Sequence, residues 1–422
     1  MSIRHVGILL AVLSVFMYGF KLPGVDLNLF LGVIVLVFAA ATMSLASGPL
    51  LLQREVLIGL VVILAVGAVG IILDRGSMSS YLTQAFAISL VVISSTIVVS
   101  GGGELSAKIF PTYLELSFVF ALIAIFELVL GLFGIYFEFL TPVTEYAFSN
   151  FHRISGLSEE PSHYVFVMTP SVVAILISTL LGRSCMSPTK SLVIVLSFIL
   201  TFSSVGLLVI ALVLLVFLFR RSSLSSMAVK MVLVVSVIGV ISVIPQINTR
   251  VLDTYRVFVS SDLGNVNVSS LTIYKNFRAT MQSGIDQPVF GAGLGGHEHN
   301  YYKYLPDFLS QGKNFNDKDA SSLLLRLISE FGVPFTVTFY LLTIIFWTGF
   351  PDRGDPAPIF WKKLTSSAIL GLIVANSIRN GNYIHNGFPL FLVLYYSVYR
   401  SLKEGDIPQT AIRTTATVAK SL

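Results

Sequence analysis

The stretch HRISGLSEEPSHY, residues 152–164, sets one arginine, two glutamates and two histidines between long apolar runs. An arginine offers a planar fork of donors that matches phosphate or carboxylate oxygens. A carboxylate or imidazole beside it can accept or deliver a proton. Arg153 is therefore a candidate anion ligand, and Glu160 or His163 a candidate proton carrier. The same residues also suit a plain helix start, because proline and acidic side chains favour a first helical turn.

A second set lies in residues 248–322. Arg250, Asp253 and Arg256 recur every three residues, which places them on one face if helical. SSLTIYKNFRATMQSG (269–284) reads as an amphipathic helix capped by Ser269 or Ser270. Leu271, Tyr274, Phe277 and Met281 lie on one side, and Lys275, Arg278 and Gln282 on another. Such a helix is expected to lie on a membrane surface with its cations toward head groups. GAGLGG (291–296) follows no strand, so a dinucleotide loop is excluded; its backbone N–H groups are expected to approach an anion. His297 beside that turn is a candidate general base. His297 and His299 lack a fixed third ligand, so we assign no metal site. Tyr301, Tyr302 and Tyr304 offer flat amphipathic faces suited to sugars or equally to the membrane interface. Arg326 and Glu330 form an i,i+4 pair, and Arg379 ends a later apolar run; ionisable groups at such places are functional candidates or self-neutralising pairs.

The elements that must carry these residues are apolar helices. The chain has 422 residues, 55% hydrophobic and 12% charged, with mean hydropathy +0.84. A soluble domain has about twice that charged fraction, and a bilayer core takes about 20 helical residues. We expect an all-α polytopic membrane protein with spans near 5–20, 28–47, 55–73, 82–100, 113–138, 164–181, 190–203, 204–219, 229–247, 325–349, 364–378 and 387–399. The run 191–219 is too long for one upright pass. Lys190 before it and Arg220 after it both favour the cytoplasm, so it is expected to turn at Thr201–Ser204. About twelve spans then put both termini in the cytoplasm. The organisation reads as spans one to five (1–138), an outer loop (139–163), spans six to nine (164–247), a large outer loop (248–322), spans ten to twelve (323–400) and a polar tail (401–422). Cys185 is the one cysteine, so no intrachain disulfide forms.

At RISGLSEEPSHYVFVM (153–168) the chain resembles the arginine–glycine–Glu-Pro-Ser stretch of O-antigen polymerases of the Wzy type, in the wider O-antigen polymerase and ligase superfamily. GAGLGGHEHNYY (291–302), SSLLLRLISEFGVPF (321–335) and IRNGNYIHNGFPLF (378–391) are similar as well, so the likeness covers most of residues 110–400. Glu-Pro-Ser is the polymerase form, whereas His-x-His-Asn is nearer to ligases.

The resemblance implies a membrane-embedded, type C glycosyltransferase-like fold in the bacterial inner membrane, with the active site facing the periplasm. It implies transfer of a growing glycan from undecaprenyl pyrophosphate to a lipid-linked repeat unit. Its partners would be lipid-linked donor and acceptor, membrane lipids and a chain-length regulator, with no nucleic acid. In that setting Arg153 and Arg250, supported by Arg278 and Arg379, would hold the pyrophosphate. His297 or Glu160 would take the acceptor proton, and Tyr301 and Tyr302 would face sugar. We expect metal-independent transfer without a cofactor. A ligase and a flippase or transporter are the rival readings. The absence of repeat-related halves weighs against transport.

Overall fold

The computed structural model describes residues 2–17, 28–47, 52–101, 107–135, 146–148, 151–158, 160–219, 231–232, 239, 249, 252–260, 266–310 and 316–404. Apolar runs become helices: α1 (Ile3–Phe16), α2 (Asn28–Ser47), α3 (Arg54–Ile72), α4 (Met78–Gly101) and α5 (Ile109–Leu132). After a two-stranded antiparallel ribbon, Tyr146–Phe148 with Phe151–His152, come α6 (Pro161–Leu180), α7 (Pro188–Ile199) and α8 (Ser204–Phe219). Then follow α9 (Val268–Asp286), α10 (His297–Tyr304), α11 (Asp307–Ser310), α12 (Leu323–Ile345), α13 (Ala357–Arg379) and α14 (Phe388–Lys403).

Among the described residues, α3, α4, α5, α6, α12 and α13 are long and apolar enough to cross a membrane. Shorter apolar helices occur at Ile3–Phe16, Leu31–Ser47, Pro188–Ile199 and Ser204–Val216. The expected span at 229–247 falls almost wholly outside the described residues. Large apolar side chains such as Val61, Phe86, Phe126 and Ile344 point away from the protein. In water such a surface would be unfavourable, whereas lipid tails accept it. This is a helical membrane protein.

At the centre stands α6, buried along most of its length. Pro161 opens it without losing a useful donor, and it packs on α13 and α8. Around it, Phe16 stacks on Phe120, with ring centroids 4.2 Å apart. Tyr113 donates to the Val167 carbonyl at 2.5 Å and meets Phe391 edge-on, which ties α5, α6 and α14 together. The long run 191–219 breaks at Leu200–Ser203, where the sequence placed a turn: Phe202 is left-handed (φ 48°). The Thr201 hydroxyl accepts from the Ser203 N–H.

One helix is broken in a way that shapes the site. In α12, Gly332 adopts φ 80°, ψ 175° and Pro334 follows, so no N–H at 334 can reach the Glu330 carbonyl. The Pro288–Gly296 loop fills the gap. Ala292 N–H donates to Ser329 O (2.9 Å), Gly293 N–H to Glu330 O (2.8 Å), and Val333 N–H to Pro288 O (2.8 Å). Leu294 N–H reaches Gly67 O on α3 at 3.2 Å. The expected anion cradle is thus corrected at two positions: the N–H groups of Ala292 and Gly293 repair a broken helix.

Candidate functional site

The repaired turn of α12 carries Arg326 and Glu330, 2% and 0% exposed. Arg326 Nε donates to Glu330 Oε1 at 2.9 Å, and Nη1 donates to the Gly381 carbonyl at 3.0 Å. Its guanidinium lies 4.1 Å from the centre of the Tyr383 ring, and the Tyr383 hydroxyl donates to Glu330 Oε2 at 3.0 Å. Both carboxylate oxygens of Glu330 are therefore engaged. A buried pair with both carboxylate oxygens engaged and the guanidinium held by Glu330 and Gly381 is a rigid scaffold, not a reagent.

Two chain segments are stitched together over that scaffold. Ser322 caps α12 while its hydroxyl donates to Ser377 O at 2.5 Å. The Gly381 backbone presses on the Asp319 carbonyl, where no side chain would fit. Ala320 and Ser321 both sit at φ 58°, a conformation that costs an L-residue about 1–2 kcal/mol and concentrates at functional sites. That turn holds Asp319: its Oδ1 accepts the Ser321 N–H at 3.0 Å.

Positive groups surround this aspartate. Arg326, His163 and Arg379 all pull on its charge, yet burial outweighs them and raises its carboxyl above the usual range. His163, from the first turn of α6, meets His385 edge-on with ring centroids 6.2 Å apart. Burial first, then His163 and Arg326, push the His385 imidazole down to about 3, so it stays neutral near pH 7. Arg379 donates from Nη1 to Ser269 O (3.2 Å) and from Nη2 to Ser269 Oγ (2.6 Å), anchoring α9 to the end of α13.

The sequence-predicted residues are scattered by comparison. Arg379 belongs to the cluster. Arg153 is 9% exposed and donates from Nε to Thr201 O at 2.9 Å, at the α7–α8 turn. Its neighbours Ser155 and Gly156 donate to Glu127, which anchors that segment. Glu160 is exposed at the start of α6, with Oε2 accepting from Ser162. Arg278 is exposed on α9. Tyr302 is exposed and donates to Asp317 at 2.5 Å, whereas Tyr301 is 0% exposed in a small satellite core. Arg250 lies outside the described residues.

His297 is placed where a base cannot act. Asn276 uses its Nδ2 on Thr272 O and Ser321 Oγ, so its Oδ1 must accept from His297 Nε2–H at 2.9 Å. The ring's Nδ1 lone pair then accepts the Ser329 hydroxyl at 2.9 Å. Both nitrogens are occupied in a fully buried ring, and burial with the nearby Arg326 charge lowers it to about 3. His297 positions the α12 turn from behind.

A test follows from the sign of that shift. Because the folded value lies below the unfolded one, this histidine's contribution is complete above about pH 6.5 and fades as pH falls toward 3. His297→Ala leaves Asn276 and Ser329 with lost partners, so it is expected to destabilise by about 3 kcal/mol at neutral pH. The gap in melting temperature between the two proteins should narrow as pH falls from about 7 to about 4.

Asp319 and His385 were missed by sequence reasoning. The signal for Asp319 was present: Asp317-Lys318-Asp319 is an Asp-x-Asp. The expectation of metal-independent transfer takes the outer loops to hold no Asp-x-Asp, and residues 317–319 hold one. In the structure Asp317 accepts the Tyr302 hydroxyl, and among the described residues no three His, Cys, Asp or Glu side chains group as a metal site.

An apolar groove of about 350 Å³ reaches this cluster from within the bundle. Leu60, Ile63, Leu327, Phe331, Phe335 and Leu392 line it, with Tyr383 in its wall at one point and Glu55 at another. Tyr383 thus belongs both to the polar cluster and to the groove. No protein-family model matches the chain, and no curated protein matches it.

Proposed function

We propose that the protein is an O-antigen or related surface-polysaccharide polymerase. In this reading it transfers a growing glycan from undecaprenyl pyrophosphate to a lipid-linked repeat unit. The observation that carries the reading is the meeting of the apolar groove with the cationic cluster at Tyr383. A lipid-linked anion needs both surfaces joined: hydrocarbon for the tail, and fixed cations where the head group leaves. The sequence likeness to polymerases at residues 153–168, 321–335 and 378–391 agrees, since all three stretches contribute to the cluster: His163 from the first, Arg326 and Glu330 from the second, Arg379, Tyr383 and His385 from the third.

In this account the tail lies along the groove and Arg379 faces the pyrophosphate, with Arg153 and Arg250 as the other candidate cations. As the glycosidic bond to phosphate breaks, negative charge grows on the leaving oxygen, and guanidinium donors stabilise it more than they stabilise the bound donor. About twelve spans, cytoplasmic termini and a periplasm-facing site complete the arrangement in the bacterial inner membrane.

Deleting the gene in its host and resolving the surface polysaccharide on a gel tests this. The polymerase reading predicts core glycan capped with a single repeat unit, because attachment continues without elongation. Loss of all capped glycan, with long chains on the lipid carrier, would mean a ligase instead. An unchanged ladder would overturn the reading.

A further inference from the structure

On the reading of the protein as a polyprenyl-pyrophosphate-dependent glycan polymerase, we infer that Asp319 is the proton acceptor for the attacking hydroxyl. The assignment follows from which lone pairs are already engaged. Glu330 has both oxygens occupied, by Arg326 and Tyr383. His297 has both nitrogens occupied, by Asn276 and Ser329. Glu160 is exposed at the head of α6 and accepts from Ser162. Asp319 differs from Glu330 and His297 in keeping an acceptor atom open, and from Glu160 in lying where Arg326, His163 and Arg379 act on its charge. Its Oδ1 is pinned by the Ser321 N–H, while Oδ2 makes no hydrogen bond or ion pair among the described residues.

The setting suits a base. Asp319 lies in the loop before α12, neither fully buried nor open as a residue. Its turn is fixed by two left-handed residues and by the Gly381 backbone, so Oδ2 has one direction. Arg326 from α12, His163 from α6 and Arg379 from the end of α13 all act on its charge, and His385 packs edge-on against His163. Arg379 is the cation a pyrophosphate would meet there, which puts a proton acceptor and a leaving-group donor in one cluster. Burial raises the carboxyl above the ordinary range, which moves its basicity toward that of a useful general base.

The step balances as follows. The acceptor hydroxyl oxygen bonds to the anomeric carbon while its proton passes to Asp319 Oδ2. The bond from that carbon to the pyrophosphate oxygen breaks, and its electron pair leaves on the polyprenyl pyrophosphate. Asp319 later returns the proton to solvent.

The test uses full-length protein in lipid nanodiscs, supplied with undecaprenyl-pyrophosphate-linked repeat units from the host. Asp319→Asn keeps the shape and the Ser321 hydrogen bond but removes the base. It is expected to lower kcat by about 100-fold or more while the donor KM stays within about threefold of wild type. A kcat within about fivefold of wild type would overturn the assignment. Should the asparagine variant fail to fold, the pH–rate profiles of wild type and Asp319→Glu decide. A shifted acid limb supports Asp319; an identical limb in both overturns it and points to His163. Absence of polymer from folded wild type would sink the polymerase reading itself, and this assignment with it.

Discussion

Arg326→Leu is expected to destabilise the protein by about 3–5 kcal/mol, because it leaves Glu330 as a buried charge without its partner. The lost interactions are specific. Nε releases Glu330 Oε1, Nη1 releases the Gly381 carbonyl, and Tyr383 loses the guanidinium over its ring. The segment 377–383 would then loosen from α12, and with it the wall that holds Asp319. Adding Glu330→Gln removes the stranded charge yet keeps an oxygen for the Tyr383 hydroxyl, so the double variant is expected to recover about 2 kcal/mol. Thermal melts in one detergent compare the three proteins. A double variant no better than Arg326→Leu would show that the pair is not the scaffold.

Gly332→Ala is the second large effect, and its sign separates it from ordinary helix behaviour. In a regular helix interior, alanine is favoured over glycine by about 1 kcal/mol. At φ 80° and ψ 175° only glycine is comfortable, and an L-residue there costs on the order of 1–3 kcal/mol. A Cβ would also strike the Val289 carbonyl carbon at 2.5 Å and the Pro288 oxygen at 2.7 Å. These are backbone atoms of the loop that repairs the helix, so they cannot rotate away. We expect a loss of about 3 kcal/mol or more and faster protease cleavage within residues 288–310. Gly59→Ala on α3 is the control. A Cβ there meets nothing within 4 Å, so it is expected to be neutral or to stabilise by about 0.5–1 kcal/mol. Equal losses at both positions would contradict the account.

Much of the helical framework was legible because lipid imposes one rule on every span: long apolar runs with few charges. The break at Leu200–Ser203 was legible too, since charge on both flanks demanded it. The interior of the 248–322 segment was not. The pattern of Leu271, Tyr274, Phe277 and Met281 pointed to a helix lying on the membrane surface with that stripe toward lipid. Instead Thr272, Asn276, Thr280 and Ser283 lie inward together with Lys275. Asn276 is satisfied there by Ser321 and His297, which lie 45 and 21 residues away. A polar face can turn inward only when distant partners complete its hydrogen bonds, and local periodicity carries no record of those partners. The glycines of 291–296 misled for the same reason: close approach was readable, but the approached group, a gap in α12, lies beyond any local motif. Of the candidate site, Arg379 and the Arg326–Glu330 pair were readable as charges in apolar surroundings. Asp319 was hidden in a polar segment where an acidic residue is unremarkable, and only the fold sets it among cations.

The most direct test of the central claim is stoichiometric. Purified protein in nanodiscs would receive undecaprenyl-pyrophosphate-linked single repeat units, and both chain length and free carrier pyrophosphate would be followed in time. The account predicts lengthening lipid-linked glycan with one carrier pyrophosphate released for each new glycosidic bond. Folded protein that neither lengthens the glycan nor releases carrier, while moving the intact lipid-linked unit across vesicle membranes, would contradict it and identify a transporter.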